Sequence, residues 1–401
     1  MPTVTQLPLS RMAPPDSTDA MCLRRVCATT RLLRSARLLR RVVIVLLLVS
    51  PLSRGDEPAV LNIYNWVDYI GKGTVKRFER ETGIRVNYDL YDSSELVDTK
   101  LMAGSSGYDI VFHSAQYSAR LIPVGIFKPL DKRLLPNLAD LDPAIVKIYE
   151  YYDPGLRYGV PYLWGTTGFT FNVRKIRERM SDAPIDSAGL VFRPEVVSRF
   201  ADCGVTLLDS STDVLPMALA YLGRRPDSVD PADLRDAEAV LLAIRPFVRY
   251  FSGQRMLIDL PAEEVCIAMS WSGDYSVARR RAKEAGLDVE LAFTLPREGM
   301  PGWFEAAYIP ADAPHPVNAH RFLNYLLRPD VIADVTNTVG YANASRVATP
   351  LVRPELREDP AIYPDAGVKA RMSTPQVLAP KAERLRSRSW SRVKYGMAKE
   401  N

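Results

Sequence analysis

Between residues 61 and 112 the hydrophobic pattern switches period four times, and this alternation restricts the fold more than any other feature of the 401-residue chain. Residues 61–64 (LNIY) alternate with the period of a strand. Gly73 and Thr74 then open a segment in which Val75, Phe78 and Thr82 recur at helical spacing, and Gly83 stands where a helix end takes left-handed backbone. Residues 84–88 (IRVNY) alternate again, a second helix is predicted over 94–103 with its stop at Gly104, and 108–112 (YDIVF) reads as a third strand. The series β-α-β-α-β implies an α/β fold with an open sheet and helices on its faces.

A second block of the same kind follows Tyr162. Strands are predicted at 168–172, 205–208, 266–270, 289–293 and 306–309, and helices at 232–245, 275–285 and 322–327. Internal repeats, low-complexity tracts and disordered linkers are absent from the sequence. Two α/β lobes are the natural partition.

Charge is unevenly placed. Residues 1–55 carry nine arginines against two acids, whereas the rest carries 43 basic and 45 acidic side chains. A slightly acidic body argues against a nucleic-acid partner. The basic leader reads as a secretory signal peptide over residues 1–55: Arg31, Arg34, Arg37, Arg40 and Arg41 precede an apolar stretch, 42–49 (VVIVLLLV), too short to span a bilayer. Ser53 and Gly55 are small residues suited to a cleavage site, which places the mature start near Asp56. The rival reading is an uncleaved N-terminal anchor. Cys22 and Cys27 leave with the leader, and Cys203 and Cys266 remain, either as one disulfide or as two buried thiols.

In open α/β sheets, ligands bind beyond the carboxyl ends of the strands. Asn65-Trp66-Val67-Asp68-Tyr69 follow the first predicted strand, and His113-Ser114 the third. Asp209 and Asp213 follow 205–208, Trp271 and Asp274 follow 266–270, and Trp303-Phe304-Glu305 stand just before 306–309. Three of the five tryptophans thus fall on such edges, each close to a carboxylate. Aromatic faces with carboxylates suit a cation with an apolar body: the ammonium gains from ring quadrupole and carboxylate, and its methylenes pack on the rings. Taken singly, each tryptophan could be core and each acid a helix cap.

Enzyme signatures are scarce. Of three histidines, His315 and His320 are expected in solvent, and His113 and Ser114, as neighbours on a strand, face opposite ways. The sequence shows no spacing of metal ligands and no phosphate-binding loop, so no cofactor is implied. Nothing fixes the separation of a carboxylate pair for glycosidase-like chemistry. The basic C-terminal run around Trp390 (Arg384, Arg386, Arg388, Arg392, Lys394) reads as a solvated helix face.

Residues 61–70 (LNIYNWVDYI) resemble the opening L-x-I-Y-N-W-x-D-Y-I of mature periplasmic polyamine-binding proteins. The resemblance continues at 100–104 (KLMAG), 130–132 (LDK), 160–168 (VPYLWGTTG), 322–330 (FLNYLLRPD) and 341–344 (YANA), covers about residues 57–396, and is strongest to the putrescine-binding branch. It implies a two-lobed type II periplasmic-binding-protein fold with the ligand cleft between lobes, one at 57–165 with 298–340 and the other at 166–297 with 341–396. It further implies a monomer that captures a polyamine in the periplasm and delivers it to an ABC permease. The family's ligand set would fall on Trp66, Asp68, Tyr69, Ser114, Asp213, Trp271, Asp274, Trp303, Glu305 and Tyr341, and its disulfide on Cys203 and Cys266. Val67 stands where that branch has Ser, Trp303 for Phe, Glu305 for Asp, Asp213 for Glu and His113 for Pro. These departures leave putrescine, spermidine, cadaverine and agmatine open as ligands. Two rivals remain: a polyamine sensor feeding a signalling receptor, and a secreted carboxylate enzyme.

Overall fold

The computed structural model describes residues 57–91 and 94–397. The leader, with Cys22, Cys27 and the cleavage site, therefore lies outside the described residues. The first block folds as read: β1 (Val60–Trp66), α1 (Thr74–Thr82), β2 (Arg85–Tyr91), α2 (Ser94–Met102), β3 (Ile110–Ser114) and α3 (Ala115–Leu121). Gly83 closes α1 at φ 72°, its N–H returning to the Glu79 carbonyl. β1 lies parallel to both β2 and β3.

β4 (Gly159–Asn172) and β9 (Met300–Tyr308) organise the rest. The amino-terminal half of β4 pairs antiparallel with β9, and its carboxyl-terminal half with β7 (Ile267–Trp271) and β8 (Leu291–Thr294). β4 thus leaves one half-sheet and enters the other. β9 runs the opposite way, alongside β3 at its far end. In the second half-sheet β5 (Val205–Leu207) lies parallel to β7 and to β6 (Val248–Phe251), which gives the order β2-β1-β3-β9-β4-β7-β5-β6.

Both connecting strands are longer than expected; the sequence places them at 168–172 and 306–309 only. All fourteen residues of β4 are buried, so no in-out alternation marks it, and Gly159, Pro161, Gly165 and Gly168 interrupt the apolar run. The glycines instead admit close neighbours: a Cβ on Gly159 would lie 2.2 Å from the Tyr149 hydroxyl. Trp303 and Glu305 consequently sit inside β9, not before it. The strand expected at 289–293 is shifted to β8. Helix α4 (Ser211–Tyr221) was not expected at all: residues 213–220 are buried all round and include Pro216, leaving no amphipathic period to read. α5 (Pro231–Ile244) and α6 (Ser272–Glu284) follow, and after β9 come α7 (Pro316–Leu326) and α8 (Pro329–Val339).

Among the described residues two large hydrophobic cores result, with a smaller third cluster around Leu260, Ala268 and Tyr275. The first gathers Leu61, Ile63, Ile110, Phe112, Tyr308 and Phe322; the second gathers Phe169, Phe192, Phe200, Leu207, Ile267 and Met269. Each fully buried side chain of this size contributes about 1.5–3 kcal/mol. Tyr341, Ala342, Ala344, Ala348, Val352, Leu356 and Ile362 pack into the first core. Cys203 and Cys266 form a disulfide with Cα atoms 5.5 Å apart. They precede Val205 and Ile267, directly paired at the amino ends of parallel β5 and β7, so the register itself brings them together.

Two expectations of solvation fail. His320 is buried and its Nε2 accepts from the Asp131 amide at 2.9 Å, while His315 pairs with buried Asp109 at 3.0 Å. In α9 (Pro380–Tyr395) only part of the basic run faces water. Arg386 is buried and donates to the Pro226 and Ser228 carbonyls, Arg392 pairs with Glu238, and Lys394 with Asp209. Trp390 packs edge-on against Phe251. Long side chains whose stems cover apolar surface cannot be told from solvated ones by residue type.

Candidate functional site

Strand register assembles the site. Ser114, the last residue of β3, lies directly opposite Glu305 of β9, so their side chains share one face. The Ser114 hydroxyl donates to Glu305 Oε1, and Trp66 Nε1, from the end of β1, donates to Oε2 at 2.9 Å. In the other half-sheet Thr167 of β4 lies opposite Trp271, the last residue of β7. Both donate to Asp213 Oδ1, Trp271 Nε1 at 3.3 Å, while the Ser210 hydroxyl reaches Oδ2 at 2.6 Å.

A third contact set is built on aromatic rings. Trp303 is paired with Gly165, where a Cβ would stand 2.6 Å from the indole, so only glycine lets the ring lie across the strand. The Trp303 ring meets Tyr341 edge to face at 5.0 Å between centroids, and Tyr69 lies 5.5 Å from Tyr341. Gly273, in the first turn of α6, leaves room for the Tyr341 ring, which a Cβ would approach to 2.3 Å. The Tyr341 hydroxyl donates to Asp274 Oδ1 at 2.6 Å.

Glu305 and Asp213 are buried and Asp274 is partly so. Their side-chain hydrogen-bond partners are all neutral: Ser, Thr, Trp or Tyr. Among the described residues no lysine, arginine or histidine lies within 4.0 Å of these carboxylates; the ion pairs nearest in sequence, such as Arg279 with Asp359, lie elsewhere. Burial without a counter-charge penalises the ionised form. Desolvation accordingly pushes Glu305 up to about 7 and Asp274 up to about 6, against the opposing pull of their hydrogen bonds, and raises Asp213 as well. Burial also holds the Tyr69 and Tyr341 phenols far above their ordinary value.

Nine of the ten sequence-predicted residues therefore gather on three contact sets along the carboxyl edges of β1, β3 and β7 and the connecting strand β9. Asp68 stands apart. It is exposed, with left-handed backbone at φ 54°, on the loop after β1. Sequence reasoning missed Thr167 and Ser210, which orient Asp213, and Gly165 and Gly273, which seat the rings. The GTTG and WSG runs containing Gly165, Thr167 and Gly273 were visible, but their roles depend on which strands lie opposite.

A family model described as bacterial extracellular solute-binding protein matches residues 73–364. The chain is 44% identical over 353 residues to the putrescine-binding periplasmic protein PotF of Escherichia coli (strain K12), covering 88% of this chain and 95% of that one. It is 43% identical over 337 residues to the putrescine/agmatine-binding protein of Pseudomonas aeruginosa, covering 84% and 92%. Among solved structures, the spermidine/putrescine ABC transporter substrate-binding protein PotD from Streptococcus pneumoniae superposes with a TM-score of 0.74 at 26% identity, covering 84% of this chain and 99% of that one. The fold is thus the two-lobed α/β fold of periplasmic solute-binding proteins.

Proposed function

The chain belongs to the bacterial extracellular solute-binding proteins, and on that premise we propose that it captures an aliphatic polyamine in the periplasm and delivers it to an ABC permease. The single observation that carries this reading is the set of desolvated carboxylates, Asp213, Asp274 and Glu305, held only by neutral donors and walled by aromatic rings. Such a surface is an incomplete ion pair. An ammonium completes it, and the methylenes between two ammoniums match the faces of Trp66, Trp271, Trp303, Tyr69 and Tyr341. Ser114 orients Glu305, and Asp68 at the rim is the acid placed to meet a cation as the lobes close on it around β4 and β9.

In this reading the protein binds without chemistry, acts as a monomer, and is exported by residues 1–55. Its relatives named for periplasmic putrescine binding support the compartment and the substrate class. Calorimetry on the exported protein against putrescine, spermidine, cadaverine and agmatine tests it. At least one should saturate one-to-one near micromolar affinity, about −8 kcal/mol. No heat with any of the four rejects the reading.

The ring seats give a second test. Gly273→Ala should push the Tyr341 ring aside and break its bond to Asp274. A hydrogen bond to a charged group is worth about 1.5–3 kcal/mol, so polyamine affinity should fall roughly tenfold to a hundredfold. Unchanged affinity would mean that Tyr341 is not part of the binding surface.

A further inference from the structure

The acids of the cleft are paired with hydrogen-bond donors but not with charge, which bears on their protons as well as on the cation they await. Glu305 meets Trp66 from β1, Ser114 from β3, and, at longer range, the phenols of Tyr69, Tyr91, Tyr149 and Tyr308. Asp274 meets Tyr341 and, farther off, Tyr69; the cation that acts on it is Arg281, two turns along its own helix. Asp213 meets Ser210, Thr167 and Trp271. Each of these three acids is thus desolvated beside neutral donors, with no cation bonded to it among the described residues.

We propose that capture of a diamine by this cleft is coupled to the discharge of protons from the carboxyls of Glu305 and Asp274, so that the protein holds its cargo tightly at neutral pH and releases it in acid. This inference rests on the polyamine reading. In the free protein each carboxyl can stay neutral by keeping its O–H bond. When an ammonium docks, that bond breaks, the proton passes to solvent, and the carboxylate left behind pairs with the incoming cation. The ligand cannot supply the pH dependence, because a primary aliphatic ammonium, like that of lysine, stays charged up to about pH 10. The protein's own acids lie in the relevant range, with Glu305 near 7 and Asp274 near 6.

The linkage has a definite sign. Affinity should fall as pH drops through these two values, by roughly a hundredfold to a thousandfold between pH 8 and pH 5. Stability of the free protein should run the other way. A carboxyl raised in the folded state binds its proton more tightly there than when unfolded, so its contribution declines as pH rises from about 4.5 to about 7. The rise in melting temperature caused by ligand should therefore grow from pH 5 to pH 8.

Titration calorimetry with putrescine on the exported protein, in two buffers of unequal ionisation enthalpy, counts the protons directly. About one proton or more should leave per ligand at pH 6, and nearly none at pH 8. Glu305→Gln should reduce the count at pH 6 by close to one, and Asp274→Asn by about half a proton. Equal affinities at pH 8 and pH 5, or no proton release at pH 6, overturn the coupling while leaving polyamine binding intact. Absence of binding at pH 8 to putrescine and the other three amines removes the polyamine reading and the coupling with it. Should Glu305→Gln fail to fold, the proton count of the unmodified protein decides alone.

Discussion

Asp274→Asn is expected to cost the protein roughly 2–5 kcal/mol of polyamine binding, a loss of about thirty-fold to several thousand-fold in affinity. The substitution keeps volume and leaves an oxygen that can still accept from the Tyr341 hydroxyl. What it removes is charge, and a docked ammonium would then be desolvated without its anion. Fold stability should change little, or rise. A carboxylate in the first turn of α6 gains from the helix dipole, but desolvation outweighs that gain, since the group is pushed up to about 6. Removing a group that resists ionisation at neutral pH therefore relieves a cost. A helix-capping or core role predicts the opposite pattern, a lower melting temperature with binding intact. Measuring titration and thermal unfolding on this one variant separates the two, and unchanged affinity would take Asp274 out of the site.

The second large effect concerns the disulfide. Replacing Cys203 and Cys266 together by alanine should destabilise the fold by about 2–4 kcal/mol, the contribution typical of a disulfide. The bridge spans a sequence separation of 63. For a body of this size that corresponds to a fall in melting temperature of roughly 3–6 °C. Polyamine affinity should hold, because the bridge ties the amino ends of β5 and β7 whereas Trp271 stands at the carboxyl end. Scanning calorimetry of the two forms checks the first statement and titration the second. Alkylation of the unreduced protein followed by intact-mass measurement should find neither thiol free. A melting point unmoved by the double substitution would show that the second core holds these strands unaided.

The first lobe's secondary structure was legible because it depends on near neighbours. A period of two or of 3.6 is a property of adjacent residues, and Gly83 announces its helix end through its own backbone freedom. The same reading fails where burial is complete. The reading begins β4 only at Gly168 and so lacks nine of its fourteen residues, and α4 was missed because a helix buried all round over 213–220 carries no period. The histidines failed for a related reason: nothing local distinguishes His320, accepting from a backbone amide 189 residues away, from a solvated histidine.

The sequence by itself determined the α/β class and the placing of Trp66, Ser114 and Trp271 at strand ends and, through its resemblance to a known family, singled out the residues proposed for the site. Tertiary structure alone decided how those residues are held. Trp66 and Glu305 are 239 positions apart and meet because β1, β3 and β9 are neighbours in one half-sheet. Asp213 is oriented by Thr167 and Trp271 because β4 and β7 are in that one register. A shift of one residue would turn each of these side chains to the other face. The charge state of the acids follows from the same packing, since a carboxyl's hold on its proton depends on how much water the assembled fold leaves around it, which no stretch of chain carries on its own.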